Sequence, residues 1–503
     1  MKKRICVAAL IAALLALSAC GDAAAGGKKA ESLSLVVTEE TIGELEEYPN
    51  LKDLDLSGSL CYEEIEAYKA EHPQVQVRYT VDIGGSQVDS TETALSLGAL
   101  AWDEDTLRAN AKYLTQVAVI ETGDKALSVQ KIKAIREIFP EAEINGTVAA
   151  LDGSYALDTE EINLSAVNEE RAEEAAGLVS VLPGLRRIVF SGADGECGWG
   201  LENMALVDSA APEGTEYVCN FELFGLRVSS EDTEILYDRE EIGDEGLETV
   251  RKALPLLSSC GRFVLKDCDI AYELLDQLRS DFPERNIVWC VHFSVQHLLT
   301  DDEMLWSTYV TDENADTLRY CTGLRYLDVG HTNTLTNFNF ISYLSNLEVL
   351  ILAKTGIADL SPLANCPKLE YLELISTPAS DLSPLSGLTN LKHLNISNMK
   401  NMTDISPLYG LTGLERLRLV RDQVPEEQKE TIQELLPNCD CMFEGADPTE
   451  NGWRYDEQGN AVPRYALLRE QFGYKHYNTP AEVNDWDEVF TYHYSVFDVF
   501  TRS

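Results

Sequence analysis

"LRYLDV" at 324–329, "LEVLIL" at 347–352, "LEYLEL" at 369–374, "LKHLNI" at 391–396 and "LERLRL" at 414–419 are one phrase written five times. The steps between copies are 23, 22, 22 and 23 residues. Between the later copies "DLSPL" occurs at Asp359 and Asp381, and "DISPL" at Asp404. A turn of this length holds one short strand and a return segment, and cannot bury its leucines alone, so successive turns must stack. Side chains alternate along a strand. Leu350, Leu372, Leu394 and Leu417 therefore fall into one inward column, and Leu352, Leu374, Ile396 and Leu419 into the next. In the Asp-Ser-Pro-Leu phrase the Asp or Ser caps the return segment, and Pro stands in its first turn, where no amide donor is needed. The closing Leu363, Leu385 and Leu408 point inward. Three acidic hydroxyl pairs in phase look like a row of ligands, but the period makes them the punctuation of a repeat.

The whole pattern resembles the leucine-rich repeats of the internalin type. That resemblance covers about 100 residues. It implies a solenoid with a parallel β-sheet on one face, and recognition through that concave face. Alternation then selects the strand residues that face outward: Tyr326 and Asp328, Val349 and Ile351, Tyr371 and Glu373, His393 and Asn395, Arg416 and Arg418. Five of them, Tyr326, Val349, Ile351, Tyr371 and His393, place apolar or aromatic groups where folding of the repeat needs none, as binding surfaces do. These ten are the candidate ligand-binding residues.

Residues 35–323 repeat with a longer period. "AEHPQVQVRYTV", "EIFPEAEINGTV", "SAAPEGTEYVCNF" and "SDFPERNIVWCVHF" put Pro at 73, 140, 212 and 283. A strand-like segment lies about 20 residues before each Pro, and a helical pattern such as "SVQKIKAIREIF" or "AYELLDQLRSDF" lies between, apolar at i, i+3, i+4 and i+7. The expected fold class is α/β: four degenerate βα modules of about 70 residues leading into the leucine-rich solenoid of 324–444. The same grammar returns in "LERLRLVRDQVPEEQKETIQELLPNCDCMF". There Cys439 and Cys441 align with apolar strand positions of the earlier modules, so they read as small hydrophobes and not as metal ligands. Residues 445–503 are dense in Trp, Tyr and Phe. A cap over the open end of the array is the expected role, with an aromatic ligand-binding appendage as the alternative. "DPTENGWRYDEQ" begins like a calcium loop but carries Gln458 where the bidentate Glu belongs.

The first 20 residues have a basic start (Lys2, Lys3, Arg4), an apolar run from Ile5 to Leu17, and "LSAC" closing at Cys20. The run is too short to span a bilayer and has the order of an export signal. It resembles the lipobox of bacterial lipoproteins, which implies lipidation of Cys20 and a membrane anchor, with 21–34 as a flexible tether. Stable anchoring needs at least two acyl chains. The net charge is −45 at pH 7, and losing the leader makes it three units more negative. Such a charge argues against nucleic acid or anionic lipid as partners of the body.

No nucleophile elbow, zincin helix, Walker loop or dinucleotide loop is present. The seven His and twelve Cys show no ligand spacing for a metal. No cofactor and no metal are expected, and no enzymatic chemistry. The expected function is binding: an exported, surface-anchored protein recognising a protein or cell-surface polymer. The alternatives are an envelope scaffold without a discrete ligand, and a hydrolase whose carboxylate pair leaves no signature.

Overall fold

A computed structural model describes residues 29–123, 125–193, 195–450 and 452–473. The expected export signal with Cys20, most of the expected tether and the aromatic stretch beyond 473 lie outside the described residues. The chain divides into two compact units, one of residues up to Asp232 with Thr249–Ser259, the other of Thr233–Glu248 with Cys260 onward.

The first unit holds three parallel three-stranded sheets. They are Ser32–Ser34, Asp53–Asp55 and Gln76–Arg78; then Ala94–Ser96, Val119–Glu121 and Glu143–Asn145; then Glu161–Asn163, Arg187–Val189 and Glu216–Val218. An antiparallel hairpin follows each: Thr80–Asp82 with Gln87–Asp89, Thr147–Ala150 with Gly153–Ala156, and Asn220–Leu223 with Leu226–Ser229. The helix Val129–Ile138 shows the local logic. Ser128 caps its start by accepting from the Lys131 amide at 3.3 Å, Ile132 and Ile135 are fully buried, and the chain leaves the helix just before Pro140, as the residue ahead of a proline disfavours helical backbone.

The second unit opens with a four-stranded sheet, Glu234–Asp238, Arg262–Lys266, Asn286–Phe293 and Gln296–Leu299, in which the last two strands form a hairpin. Next comes a seven-stranded parallel sheet: Met304–Trp306, Tyr326–Asp328, Val349–Ile351, Tyr371–Glu373, His393–Asn395, Arg416–Arg418 and Asp440–Met442. It begins one strand ahead of Leu324, at a segment lacking the leucine phrase. Leu305, Leu327, Leu350, Leu372, Leu394, Leu417 and Cys441 are in register across it, so Cys441 stands where the other strands have leucine.

The return segments are short 3₁₀ turns at Ser361–Asn365, Ser383–Leu385 and Ser406–Leu408, with Pro in the first turn of each. Asp is the cap: Asp359, Asp381 and Asp404 accept the amide of the Ser two residues on, each at 2.8 Å. Leu363, Leu385 and Leu408 are fully buried. Each repeat also bends at one left-handed residue, His331, Lys354, Ser376, Asn398 and Arg421, with φ between 57° and 65°. None is glycine. The strain is held by the next repeat: the amides of His331, Lys354, Ser376 and Asn398 donate to the carbonyls of Ala353, Ile375, Ser397 and Val420.

Candidate binding face

The ten outward residues do line one face of the seven-stranded sheet, but that face is not open to solvent. Glu373 and Asn395 are 0% exposed, Arg418 and Ile351 2%; Val349, Tyr371, His393 and Asp328 are also buried, and only Tyr326 and Arg416 are half-buried. The expected open surface is therefore covered, and its cover is the chain itself. Residues 447–472 cross the face, whereas a cap over the end of the array was expected. The physical reason lies in the composition of both partners. Tyr371, Val349, Ile351, Ala353 and Ile375 form one apolar cluster with Trp453, Tyr465, Leu468 and Phe472, and Met304, Trp306 and Tyr326 pack at its edge. The helix Pro463–Gln471 starts on its proline and turns Tyr465 and Leu468 onto the sheet. The Trp453 ring lies 5.5 Å from Tyr371, and Phe472 meets Tyr326 edge-on at 6.3 Å.

Polar contacts fix the register of this packing. The Asn395 side-chain amide donates to the Pro448 carbonyl at 2.9 Å; Arg416 and Arg418 donate to the carbonyls of Gly452 and Glu450. Glu373 accepts from the Tyr371 hydroxyl, from Trp453 Nε1 at 2.7 Å and from the Arg454 guanidinium. Burial pushes the Glu373 carboxyl up, but Arg454, with the Tyr371 and Trp453 donors, outweighs it and holds the group below the usual carboxylate range. Burial, reinforced by Arg464, Arg416 and Lys392, lowers the His393 imidazole to about 3. Glu415 lies 3.7 Å from His393 Nε2, yet at neutral pH this is no ion pair, because the imidazole is uncharged.

Both shifts make the covered face acid-sensitive, and the signs agree. An unfolded histidine takes up its proton near pH 6.5 while His393 stays neutral, so stability falls as pH drops from 6.5 toward 3. Glu373, depressed below 4.5, adds stability above that value and loses it as pH falls through its folded pKa. Urea midpoints measured between pH 7 and pH 4 are expected to decline throughout. His393→Gln should flatten the part between pH 6.5 and 4.5 and reduce the slope below it to the share that Glu373 supplies.

Sequence reasoning paired each strand residue with the right face and missed what packs on it. The signal was present in the aromatic density of 445–503, which marked a surface to be buried without naming the surface. A second grouping was missed altogether. Asp267, Cys290 and His292 each bring one potential ligand atom within 4.8 Å of the others, although no motif links them. Cys439 and Cys441 are half-buried free thiols at the last strand. The Asp447 carboxylate accepts from the Thr449 amide and hydroxyl, both at 2.7 Å, in an ordinary turn.

Residues 345–387 match the family described as Leucine Rich repeats (2 copies). No curated protein matches the chain. Among solved structures, internalin C2 of Listeria monocytogenes is 26% identical over 28% of this chain and 71% of its own, with a TM-score of 0.21. An internalin F structure from the same species is 17% identical, covers 80% of this chain and 78% of its own, and has a TM-score of 0.24. A leucine-rich-repeat protein of Leptospira interrogans is 13% identical over 81% and 93%, at 0.28. Superpositions this loose transfer no positions to this chain. What the family match over 345–387 and the seven-stranded parallel sheet establish together is an array built of leucine-rich repeats.

Proposed function

We propose that this is an exported binding protein, anchored by lipid on Cys20, that recognises a segment of a partner protein on the face now covered by 447–472. One observation carries the reading. Asn395, Arg418 and Arg416 hold the covering segment by its main-chain carbonyls, those of Pro448, Glu450 and Gly452. Contacts to carbonyls do not depend on the side chains of the segment, so another chain turned in the same way offers them, while Tyr371, Val349 and Ile351 supply an apolar floor. The segment behaves as a resident ligand that a partner displaces. Peptide-like contacts favour a protein over a polymer. No helix among the described residues is long and apolar enough to cross a membrane. We read the four sheet-and-hairpin units at 32–299 as copies of one degenerate βα repeat.

The test uses the full chain with a protease site inserted between Phe443 and Asp447, cut after folding. A labelled peptide of residues 447–473 is expected to exchange into the cut protein, and Arg416→Glu with Arg418→Glu to abolish the exchange. If the cut segment never leaves, the covered face is a permanent core and the reading fails.

A further inference from the structure

We propose that Asp267, Cys290 and His292 form a three-ligand site for a divalent transition-metal cation of zinc-like preference, in the four-stranded sheet that precedes the leucine-rich array. Cys290 and His292 are two residues apart on the strand Asn286–Phe293 and so project from one face of it. Asp267 reaches them from the loop that leaves the neighbouring strand Arg262–Lys266. That loop is bent twice through left-handed backbone, at Asp267 (φ 54°) and Asp269 (φ 57°), neither of them glycine. Its middle residue does not compete, because the Cys268 thiol faces the carbonyls of Lys266 and Tyr237.

The three ligand atoms lie within 4.8 Å of one another, and His292 Nε2 is 2.7 Å from Asp267 Oδ1. Around a tetrahedral zinc, neighbouring ligand atoms stand roughly 3.3–3.7 Å apart, given its usual bond lengths. The His–Asp pair must therefore open by less than about 1 Å and Cys290 close by a similar amount, which side-chain rotation supplies. The cation takes the place of the proton in the His292–Asp267 hydrogen bond and of the Cys290 thiol proton, both of which pass to solvent. A sulfur, an imidazole nitrogen and a carboxylate oxygen form a mixed set that suits zinc and its neighbours and disfavours calcium or magnesium, which seek oxygen only.

Two further features support a site over a chance cluster. The three residues line a cavity of ≈ 590 Å³, together with Asp244, Asp269 and Tyr272, which leaves room for a fourth ligand from solvent or a bound molecule. Asp244 is already engaged, accepting the Ala271 amide at 2.8 Å, and holds the cavity wall. Directly across the hairpin from His292 is His297, ring centroids 6.1 Å apart, whose Nε2 is buried with no hydrogen-bond partner among the described residues.

The experiment titrates the full chain, purified in detergent, with Co²⁺ alone. One cobalt per chain is expected, with a thiolate-to-cobalt charge-transfer band that Zn²⁺ removes. Cys290→Ser should abolish the band, and His292→Ala or Asp267→Ala should weaken Zn²⁺ binding by at least about tenfold. Cys439→Ser with Cys441→Ser should change nothing. Should the Cys290 variant fold poorly, zinc-edge X-ray absorption of the unmutated protein decides. One sulfur at about 2.3 Å with nitrogen or oxygen at about 2.0–2.1 Å is expected. A site with two sulfurs, a site with none, or a band that survives Cys290→Ser overturns the proposal, as does the absence of any band.

Discussion

Arg454→Met is expected to release residues 447–472 from the sheet while the leucine-rich array stays folded. Glu373 is 0% exposed and, among the described residues, its charge is compensated by the Arg454 guanidinium, with Tyr371 and Trp453 as neutral donors. Taking the guanidinium away leaves a buried carboxylate without its counter-charge, at a cost of about 3–5 kcal/mol. The array does not have to bear that cost, because undocking the segment returns Glu373 to water. Hydrogen exchange followed by mass spectrometry is the suitable measurement. Peptides spanning 453–472 should lose protection, and those of the strands at 349–418 should keep theirs. Adding Glu373→Gln should restore most of the protection, since the amide oxygen still accepts from Trp453 and no charge is left buried. If the double variant exchanges as fast as the single one, the ion pair is not what holds the segment.

Leu372→Ala tests the other side of the same strand. Leu372 is fully buried at the centre of the leucine ladder, between Leu350 and Leu394. Truncating it should cost about 2–5 kcal/mol, the spread reflecting how far neighbouring turns collapse into the space. The urea midpoint should fall with little change in slope, because the same surface is exposed on unfolding. Leu467→Ala is the control: that residue is 66% exposed on the covering helix, and its loss should stay within about 0.5 kcal/mol.

These two residues also mark how far the sequence could be read. Leu372 was placed correctly by periodicity, because a 22- or 23-residue repeat is enforced by every copy at once and alternation is a local property of strands. Its neighbour Glu373 was placed on the right face but judged solvent-facing, because alternation says which way a side chain points and nothing about what lies beyond it. The contact with Trp453 and Arg454 spans about 80 residues and has no period to betray it. The left-handed turns were hidden for a different reason: their residues are His, Lys, Ser, Asn and Arg, and the usual glycine signal is missing. Asp267, Cys290 and His292 escaped because a Cys-x-His pair on a strand resembles ordinary alternation, and the third member arrives from the adjacent strand through an unannounced loop.

The left-handed turns give the array a direction. The amides of His331, Lys354, Ser376 and Asn398 are each satisfied by a carbonyl one repeat further on, whereas the strand amides of Glu348, Glu370, Lys392 and Glu415 donate one repeat back, so only the left-handed clasps point one way. Lifting the last repeat away would orphan the Asn398 amide, then that of Ser376, then that of Lys354, each in a backbone conformation it would abandon without support. Removal from the C-terminal end therefore undoes these clasps in order. Removal from the other end opens strand hydrogen bonds, such as that of the Glu348 amide to Arg325, and leaves the remaining left-handed clasps closed.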